Sequence, residues 1–472
     1  ALQTKGIQPG DRVAIMFMNQ KEYLVSFFAI LYAGAVVVPI NITLPSEDIV
    51  YVFLNSGSKL MISTQAFAEC FEGKPIPILM ANQSEEKKYP AWEEAVEQGN
   101  PNFEPIPHGD ADSLRVLMYT SGTTGKPKGV MLSENNLSSN MDGIAPLFQF
   151  HTQECLLLAL PLFHAYGLII SLYALDAQAP LYLVPNFTPK KILQTLVEQQ
   201  ITILPLVPTM FSVLLHSIQK VGADKLASLK LCISGGASLP EKLLNQIEQS
   251  MNLAVLEGYG LTETSPVLAV NSREKGSVPK SVGQPLPNVD IKLVDDQGNI
   301  YRYESGKVSG EGEILAKGPN VMLGYYNLPE ETAQAFDSEG YFRTGDLGHF
   351  DAEGNLYISG GRKKDLIIKA GENIAPVRIE DVLYQHPAIL HAAVIGIPDE
   401  KLGEDIAACV ELKPEQHVSE QDLKKFCREH LPTFMVPAEV HIYEELPKNQ
   451  TGKVLKNKLK EQYANQLQKA GG

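Results

Sequence analysis

The sequence predicts an α/β protein. A large N-terminal domain of α/β layered subdomains plus a β-rich subdomain is expected, followed by a small α+β C-terminal domain. Three observations predict it. Strand-like and helix-like segments alternate from the start of the chain to beyond residue 234, the pattern of mostly parallel sheet covered by helices. From about Gly298 to Tyr357 helix signals fade, and Gly and Asp turns separate short strands. After the glycine-led, charged run Gly360-Gly361-Arg362-Lys363-Lys364-Asp365 comes a unit of roughly 100 residues, the size of a small domain.

The elements read in order as follows. ALQTKGIQPGD reads as the tail of a helix ending near Gly6, so the chain is expected to start inside a longer one. Residues 12–17 read as a strand, 21–32 as a helix and 35–40 as a strand. Ser46 is expected to cap the next helix, and 59–63 to form the next strand. Thr188-Pro189 opens a helix with Ile192, Leu193, Leu196 and Val197 on one face. Residues 229–234 are an apolar strand running into Gly235-Gly236. Ser419 with Asp422 is expected to form a capping box before Leu423, Phe426, Cys427 and Leu431, and Pro432 ends that helix.

Residues 23–46 and 155–175 carry no Asp, Glu, Lys or Arg. A spanning helix needs about 20 apolar residues in a row. Gly34, Pro39 and Asn41 break the first stretch; Pro161, His164 and Gly167 break the second. Both read as a strand and a helix of a buried core rather than membrane spans. No charged-then-apolar signal segment is present.

The chain has 472 residues, 40 basic against 55 acidic, and a net charge of −15. That argues against a nucleic-acid binder working through an overall basic surface, and any polyanion must be held by local features. Hydrophobic residues at 44% exclude wholesale disorder. Five cysteines without a CxxC pair argue against a disulfide framework or zinc ribbon and point to a reducing cytoplasm.

Four segments carry chemistry. Tyr119-Thr120-Ser121-Gly122-Thr123-Thr124-Gly125-Lys126-Pro127-Lys128-Gly129 combines glycines, hydroxyls and lysines of the kind that phosphate oxygens accept from. It is not a Walker A loop, which needs Gly where Thr120 sits and Ser or Thr where Pro127 sits. A flexible surface loop also fits its composition. In Glu257-Gly258-Tyr259-Gly260-Leu261-Thr262-Glu263-Thr264, glycines flank an aromatic that can stack on a base, and Glu263 is a hard oxygen ligand suited to Mg²⁺. A plain strand-to-turn connection fits it too. Tyr341-Phe342-Arg343-Thr344-Gly345-Asp346, with Arg362 behind it, offers a carboxylate for ribose hydroxyls, or an Asp completing a turn. Pro447-Lys448-Asn449-Gln450-Thr451-Gly452-Lys453 reads as a Gly turn presenting a lysine, or as the start of a basic tail.

In this order the four segments resemble the adenylate-forming superfamily: acyl-CoA synthetases, adenylation domains of peptide synthetases and beetle luciferases. YTSGTTGKPKGV resembles its phosphate loop, GYGLTET its adenine and Mg²⁺ motif, and YFRTGDLG its ribose motif. GRKKDLIIKAGENI resembles its hinge and PKNQTGK its catalytic-lysine motif. The resemblance covers residues 6–460 and implies an ATP-dependent ligase using Mg²⁺ and coenzyme A. It implies an adenylation domain at 1–361 that lacks its first few tens of residues, a hinge at 362–365, and a mobile C-terminal domain at 366–472 carrying the catalytic lysine.

The implied roles are these. Lys453 bridges the acid's carboxylate and the α-phosphate. Thr120, Ser121, Gly122, Thr123, Thr124, Gly125, Lys126 and Lys128 hold the outer phosphates. Thr262 contacts phosphate and Glu263 holds the metal. Gly235, Gly236, Ala237, Tyr259 and Gly260 form the adenine site, and Asp346 with Arg362 holds the ribose. Lys364 is the pivot, about which the small domain turns to bring Gly371, Glu372 and Asn373 to the thiol tunnel.

The amino-acid branch of the superfamily has an aspartate where this chain has His164, so an amino-acid substrate is not expected. His164 instead resembles an aromatic residue lining the acyl and thiol channel. Pocket walls are expected from 164–167, 209–211, 235–237 and 260–267, mostly apolar or small. The expected activity is a medium- or long-chain fatty acid–CoA ligase. The alternatives are an aryl-acid CoA ligase, an acyl-carrier-protein ligase, a luciferase-like oxidase and a non-catalytic pseudoenzyme, the last opposed by the intact Lys453, Glu263, Asp346 and Arg362. The partners implied are a carboxylic acid and CoA, with no nucleic acid and no transmembrane segment; peripheral membrane contact and a homodimer are left open.

Overall fold

The computed structural model describes the chain except residues 75, 83–88, 101, 107–109, 121–125, 363–364, 370–371, 400–401, 450–451, 453 and 471–472. Among the described residues two seven-stranded sheets lead the fold. The first runs Gly324–Tyr325, Lys128–Ser133, Leu114–Thr120, Val36–Pro39, Arg12–Met16, Ser58–Thr64, Ile78–Ala81. The second runs Gln284–Pro285, Val267–Val270, Val255–Gly260, Leu231–Ser234, Ile203–Leu206, Leu156–Leu158, Leu181–Leu183. Their inner strands are parallel, Arg12–Met16 with Val36–Pro39 in one and Ile203–Leu206 with Leu231–Ser234 in the other.

The sequence dictates this locally. Val13, Ala14, Ile15 and Met16 are all buried, because helices cover both faces of a parallel sheet and leave no polar side to alternate with. The helix Lys21–Tyr32 sinks Tyr23, Phe27 and Ile30, spaced by four and three, into the same core. Residues 155–175 resolve into the strand Leu156–Leu158 and the helix Ala165–Asp176, whose Leu168, Ile169, Ile170 and Leu172 are buried. No helix among the described residues is long and apolar enough to cross a membrane.

Two helix starts differ from expectation. Ser46 is the first helical residue of Ser46–Asn55 rather than its cap; Pro45 holds the extended cap conformation (φ −54°, ψ 149°) and offers no side-chain acceptor. At Glu420–His430 the Ser419 hydroxyl accepts the Asp422 N–H at 3.1 Å and itself donates to the Asp422 carboxylate at 2.6 Å. Only half of the expected capping box forms, since that carboxylate closes on the hydroxyl instead of the Ser419 N–H. Thr188 does cap Pro189–Glu198, accepting from Lys191 N at 3.3 Å.

A third, antiparallel sheet follows: Ile300–Tyr301, Asp290–Val294, Gly312–Lys317, Phe342–Phe350, Leu356–Arg362. The β-rich stretch is not uniform. It holds a short helix, Pro329–Ala335, and its strand Gly324–Tyr325 leaves to pair with Lys128–Ser133 at the edge of the first sheet. One continuous core, from Leu2 to Leu356, joins the three sheets. The fourth sheet (Glu372–Ile374, Ile367–Lys369, Gly403–Leu412, Ile389–Asp399, with Glu439–Tyr443 alongside) has two core clusters of its own, drawn from residues 367–459.

Gly276 (φ +75°) and Gly283 (φ +80°) share a left-handed backbone but not their surroundings. A Cβ at 276 meets nothing within 4 Å, whereas one at 283 lies 2.1 Å from the Val270 carbonyl carbon. Gly276→Ala should cost about 1 kcal/mol from backbone strain alone. Gly283→Ala should cost several times that, read as the difference in urea midpoints; equal shifts would mean the 270–271 backbone yields.

Candidate active site

The strand Leu114–Thr120 turns back into Lys128–Ser133, with Thr120 and Lys128 as register partners, so the two ends of the predicted phosphate loop are held side by side. Ser121, Gly122, Thr123, Thr124 and Gly125 lie outside the described residues. The Lys126 ammonium sits 5.0 Å from the Tyr51 ring centroid and the Lys128 ammonium 5.5 Å from that of Tyr325.

The second motif leaves the sheet at Gly260, where a Cβ would lie 1.8 Å from the Pro266 carbonyl oxygen, a place only glycine fits. The turn that follows, Thr262–Thr264, is clamped by two buried asparagines. Asn320 Nδ2 donates to the Thr264 and Val267 carbonyls at 2.8 and 3.0 Å, and Asn140 Nδ2 to Val267 at 2.8 Å. Glu263 is thereby aimed at Tyr325, whose hydroxyl donates to Oε1 at 2.9 Å, while the Glu263 carbonyl accepts Met322 N–H at 2.8 Å. Tyr325 pairs with Val130 in the strand that begins at Lys128. The fold thus gathers Lys128, Tyr325 and Glu263 at one edge.

The Tyr259 hydroxyl donates to Asp346 Oδ2 at 2.6 Å, joining the predicted adenine and ribose residues across 87 positions of sequence. Asp346 and Arg362 are register partners on antiparallel strands; the Arg362 side chain lies outside the described residues.

Two of the predicted wall segments, 164–167 and 235–237, also come together. Tyr166, at the start of the helix Ala165–Asp176, donates to the Ile233 carbonyl at 3.1 Å and lies over Gly235, where a Cβ would be 3.3 Å from its ring. His164 packs its ring 4.7 Å from Phe163 and leaves Nε2 buried without a hydrogen-bond partner among the described residues. Burial pushes its pKa down to about 4, so at neutral pH it is an uncharged imidazole. Such an atom is suited to a ligand contact.

Part of the C-terminal segment reaches this wall. A Cβ on Gly452 would lie 1.8 Å from Thr209 Oγ1, at the start of the helix Pro208–Val221. A second bridge runs from Lys242 Nζ to the Gln385 carbonyl at 3.2 Å. Lys453, Lys364 and Gly371 lie outside the described residues; Glu372 opens the strand Glu372–Ile374, its side chain likewise outside.

Sequence reasoning passed over Tyr325, Asn140, Asn320 and Glu257. Only Glu257 left a signal, an acid inside the apolar run Val255-Leu256 and the glycines after it. Glu257 is 6% exposed, and its Oε1 accepts the Leu239 N–H at 2.9 Å, tying the turn after Gly235-Gly236 to the strand that carries Tyr259. Burial raises its pKa to about 8, the Leu239 N–H opposing and the Asp381 carboxylate adding. The native state therefore binds a proton that the unfolded chain releases above its ordinary 4.5, and stability falls as pH rises from about 4.5 to about 8. Glu257→Gln keeps the acceptor and cannot ionise. Its thermal midpoint should gain on the wild type from pH 5 to pH 8; a constant difference would show that Glu257 does not titrate there.

The profile of AMP-binding enzymes matches residues 1–326, and that of the AMP-binding enzyme C-terminal domain matches residues 378–453. A long-chain-fatty-acid–CoA ligase of Bacillus subtilis is 33% identical over 98% of this chain and 87% of its own length. A feruloyl-CoA synthase of an Amycolatopsis species is also 33% identical, over 98% of this chain and 91% of its own. ATP-bound MatB from Rhodopseudomonas palustris, 32% identical over 98% of this chain and 90% of its own, superposes with a TM-score of 0.88; apo MatB, with 91% of its chain covered, reaches 0.75. One relative gives both scores, so conformation separates them, and this chain lies nearer the ATP-bound form. The chain belongs to the AMP-binding enzyme family.

Proposed function

We propose that this protein is an AMP-forming acid–thiol ligase that adenylates a medium- or long-chain fatty acid and passes the acyl group to coenzyme A. The observation that carries the reading is the seat of Gly452 against Thr209, which sets the residue before Lys453 at the wall of the pocket.

The first half-reaction must bring two anions together, a carboxylate and the ATP α-phosphate, and preorganised positive charge lowers that cost. Lys453 supplies it at the reacting atoms, with Lys126 and Lys128 at the ends of the loop that holds the outer phosphates. The half-buried Glu263 carboxylate, with one oxygen engaged by a Tyr325 hydroxyl, is a hard-oxygen donor that fits Mg²⁺. When bound, the metal neutralises phosphate charge. Tyr259 stacks on the adenine beside Gly235, Gly236 and Ala237, and Asp346 with Arg362 takes the ribose hydroxyls. Thr262 contacts phosphate.

The division proposed is 1–361, a hinge at 362–365 and 366–472. The separate cores within 367–459 support it, since a unit with its own core can turn as a body. Turning about Lys364 withdraws Lys453 and brings Gly371 and Glu372 to the thiol. The five free cysteines suit a reducing cytoplasm.

The acid is assigned to the fatty class because the segments expected to wall the pocket carry buried apolar groups, Met210, Phe211 and Val267. Each buried CH₂ contributes about 0.8 kcal/mol, so depth selects chain length. The Tyr166 ring across Gly235 favours a second reading, a flat aryl acid, which is the class named for the feruloyl relative.

Pyrophosphate release across fatty, aromatic and short acids, with and without CoA, should peak with aliphatic acids of medium or long chain. A maximum on cinnamate-type acids would replace the first reading by the second, and silence on every acid would remove both. Lys453→Ala should abolish adenylation while keeping transfer to CoA from a supplied acyl-adenylate; equal loss of both steps would sink the role given to Lys453.

A further inference from the structure

The described residues on either side of the proposed catalytic lysine are tied together at their base. Leu455 N–H donates to the Pro447 carbonyl at 2.7 Å, Lys448 and Val454 pair as an antiparallel bridge, and Gly452 N–H donates to the Asn449 carbonyl at 2.9 Å. These bonds tie residues 447–449 to Gly452 and to residues 454–455, and Gly452 has a left-handed backbone (φ +73°). One flank is sunk by Leu446, which shares a small core with Ala393, Ile395, Cys409 and Leu459; Val454 packs against the same core from the other flank.

Apolar packing fixes depth but not rotation about the base. That is supplied by Glu411, 7% exposed, on the strand Gly403–Leu412. One carboxylate oxygen, Oε2, accepts the Leu446 N–H at 3.0 Å and the Lys448 ammonium at 2.6 Å. The pair is well screened from water, with side-chain exposures of 16% for Lys448 and 9% for Glu411. Across the sheet Glu411 is the register partner of His391, which is 3% exposed. Burial and the nearby Lys448 ammonium push His391 down to about 4, so it stays neutral and does not compete for the carboxylate.

We propose that Glu411 and Lys448 are positioning residues for adenylation: their partly buried ion pair orients this tied segment so that Gly452 seats against Thr209. The proposal rests on the ligase reading above. Neither residue touches the reacting atoms; each acts through the segment. A partly buried charge pair holds an orientation well because either charge left alone there is costly, and a misplacement of about 1 Å at the chemistry can cost up to 10²-fold. Only the half-reaction that uses Lys453 should depend on it.

The test uses the full chain with dodecanoate and, in parallel, coumarate as acids. Acid-dependent ATP–pyrophosphate exchange and acyl transfer to CoA from the supplied acyl-adenylate are measured for wild type, Lys448→Met, Lys448→Arg and Glu411→Gln. Lys448→Met should lower kcat for exchange roughly 10-fold or more, leave KM for ATP nearly unchanged and spare transfer. Lys448→Arg, which keeps the pair, should restore exchange, and Glu411→Gln, which keeps the Leu446 contact but not the charge, should follow Lys448→Met. Exchange at the wild-type rate in folded Lys448→Met and Glu411→Gln would overturn the proposal, as would equal loss of both half-reactions, the mark of a purely structural pair. If Lys448→Met does not fold, Glu411→Gln and Lys448→Arg decide by the same criteria. A wild type that exchanges with neither acid would instead bring down the ligase reading, and the positioning role with it.

Discussion

The pairing of Gly324–Tyr325 with Lys128–Ser133 is the stitch on which the site depends. It takes two residues from the region of the antiparallel sheet and lays them along the first sheet, where the phosphate loop re-enters. The Tyr325 hydroxyl then reaches Glu263, whose turn leaves the second sheet. The first and second sheets thus meet in one short hydrogen-bonded contact, backed by the core that both share with the third. Each partner alone is an ordinary surface group. Held together, they offer a carboxylate beside cationic and hydroxyl donors, the arrangement that phosphate chemistry needs.

A net charge of −15 sits uneasily with anionic substrates until the charges are placed. Binding falls to local groups because the Debye length in physiological salt is about 8 Å, so distant acidic residues are screened. Lys126 and Lys128 flank the predicted phosphate loop, and both lie over tyrosine rings. Buried neutral forms serve the same end. His164 is an uncharged imidazole, and Glu257 at neutral pH mostly holds its proton, so neither adds charge beside the segments predicted to bind acid and adenine.

The C-terminal unit is packed about cores of its own. Among the described residues it meets the remainder through the helix Pro376–Gln385, against Leu356–Arg362 and Glu241–Met251, and at the Lys242–Gln385 hydrogen bond. Contacts of this kind are readily exchanged for others. Under the positioning role proposed for Glu411 and Lys448, the lysine segment is oriented inside the unit before it meets Thr209.

Much of this was legible in the residues themselves. The helix Lys21–Tyr32 and the strand Arg12–Met16 follow from apolar spacing, a local property that a linear chain displays. The four motifs pointed to their chemistry only together, through the family they resemble, and the structure brings Tyr259 to Asp346 and Thr120 to Lys128. Local signals failed where a neighbour in the chain took the role, as Pro45 did from Ser46 and the Asp422 carboxylate did within its box. Tyr325, the two clamping asparagines and the Glu411–Lys448 pair carried no local mark, because each works through a partner far along the chain: 62 residues separate Tyr325 from Glu263 and 37 separate Lys448 from Glu411. By itself the sequence determined most element types and the family, and named candidate reactive groups, all of which depend on neighbours within a few positions. Only the tertiary structure decided which groups share a site and what holds them there, because strand pairing and core packing bring together residues that no local pattern connects.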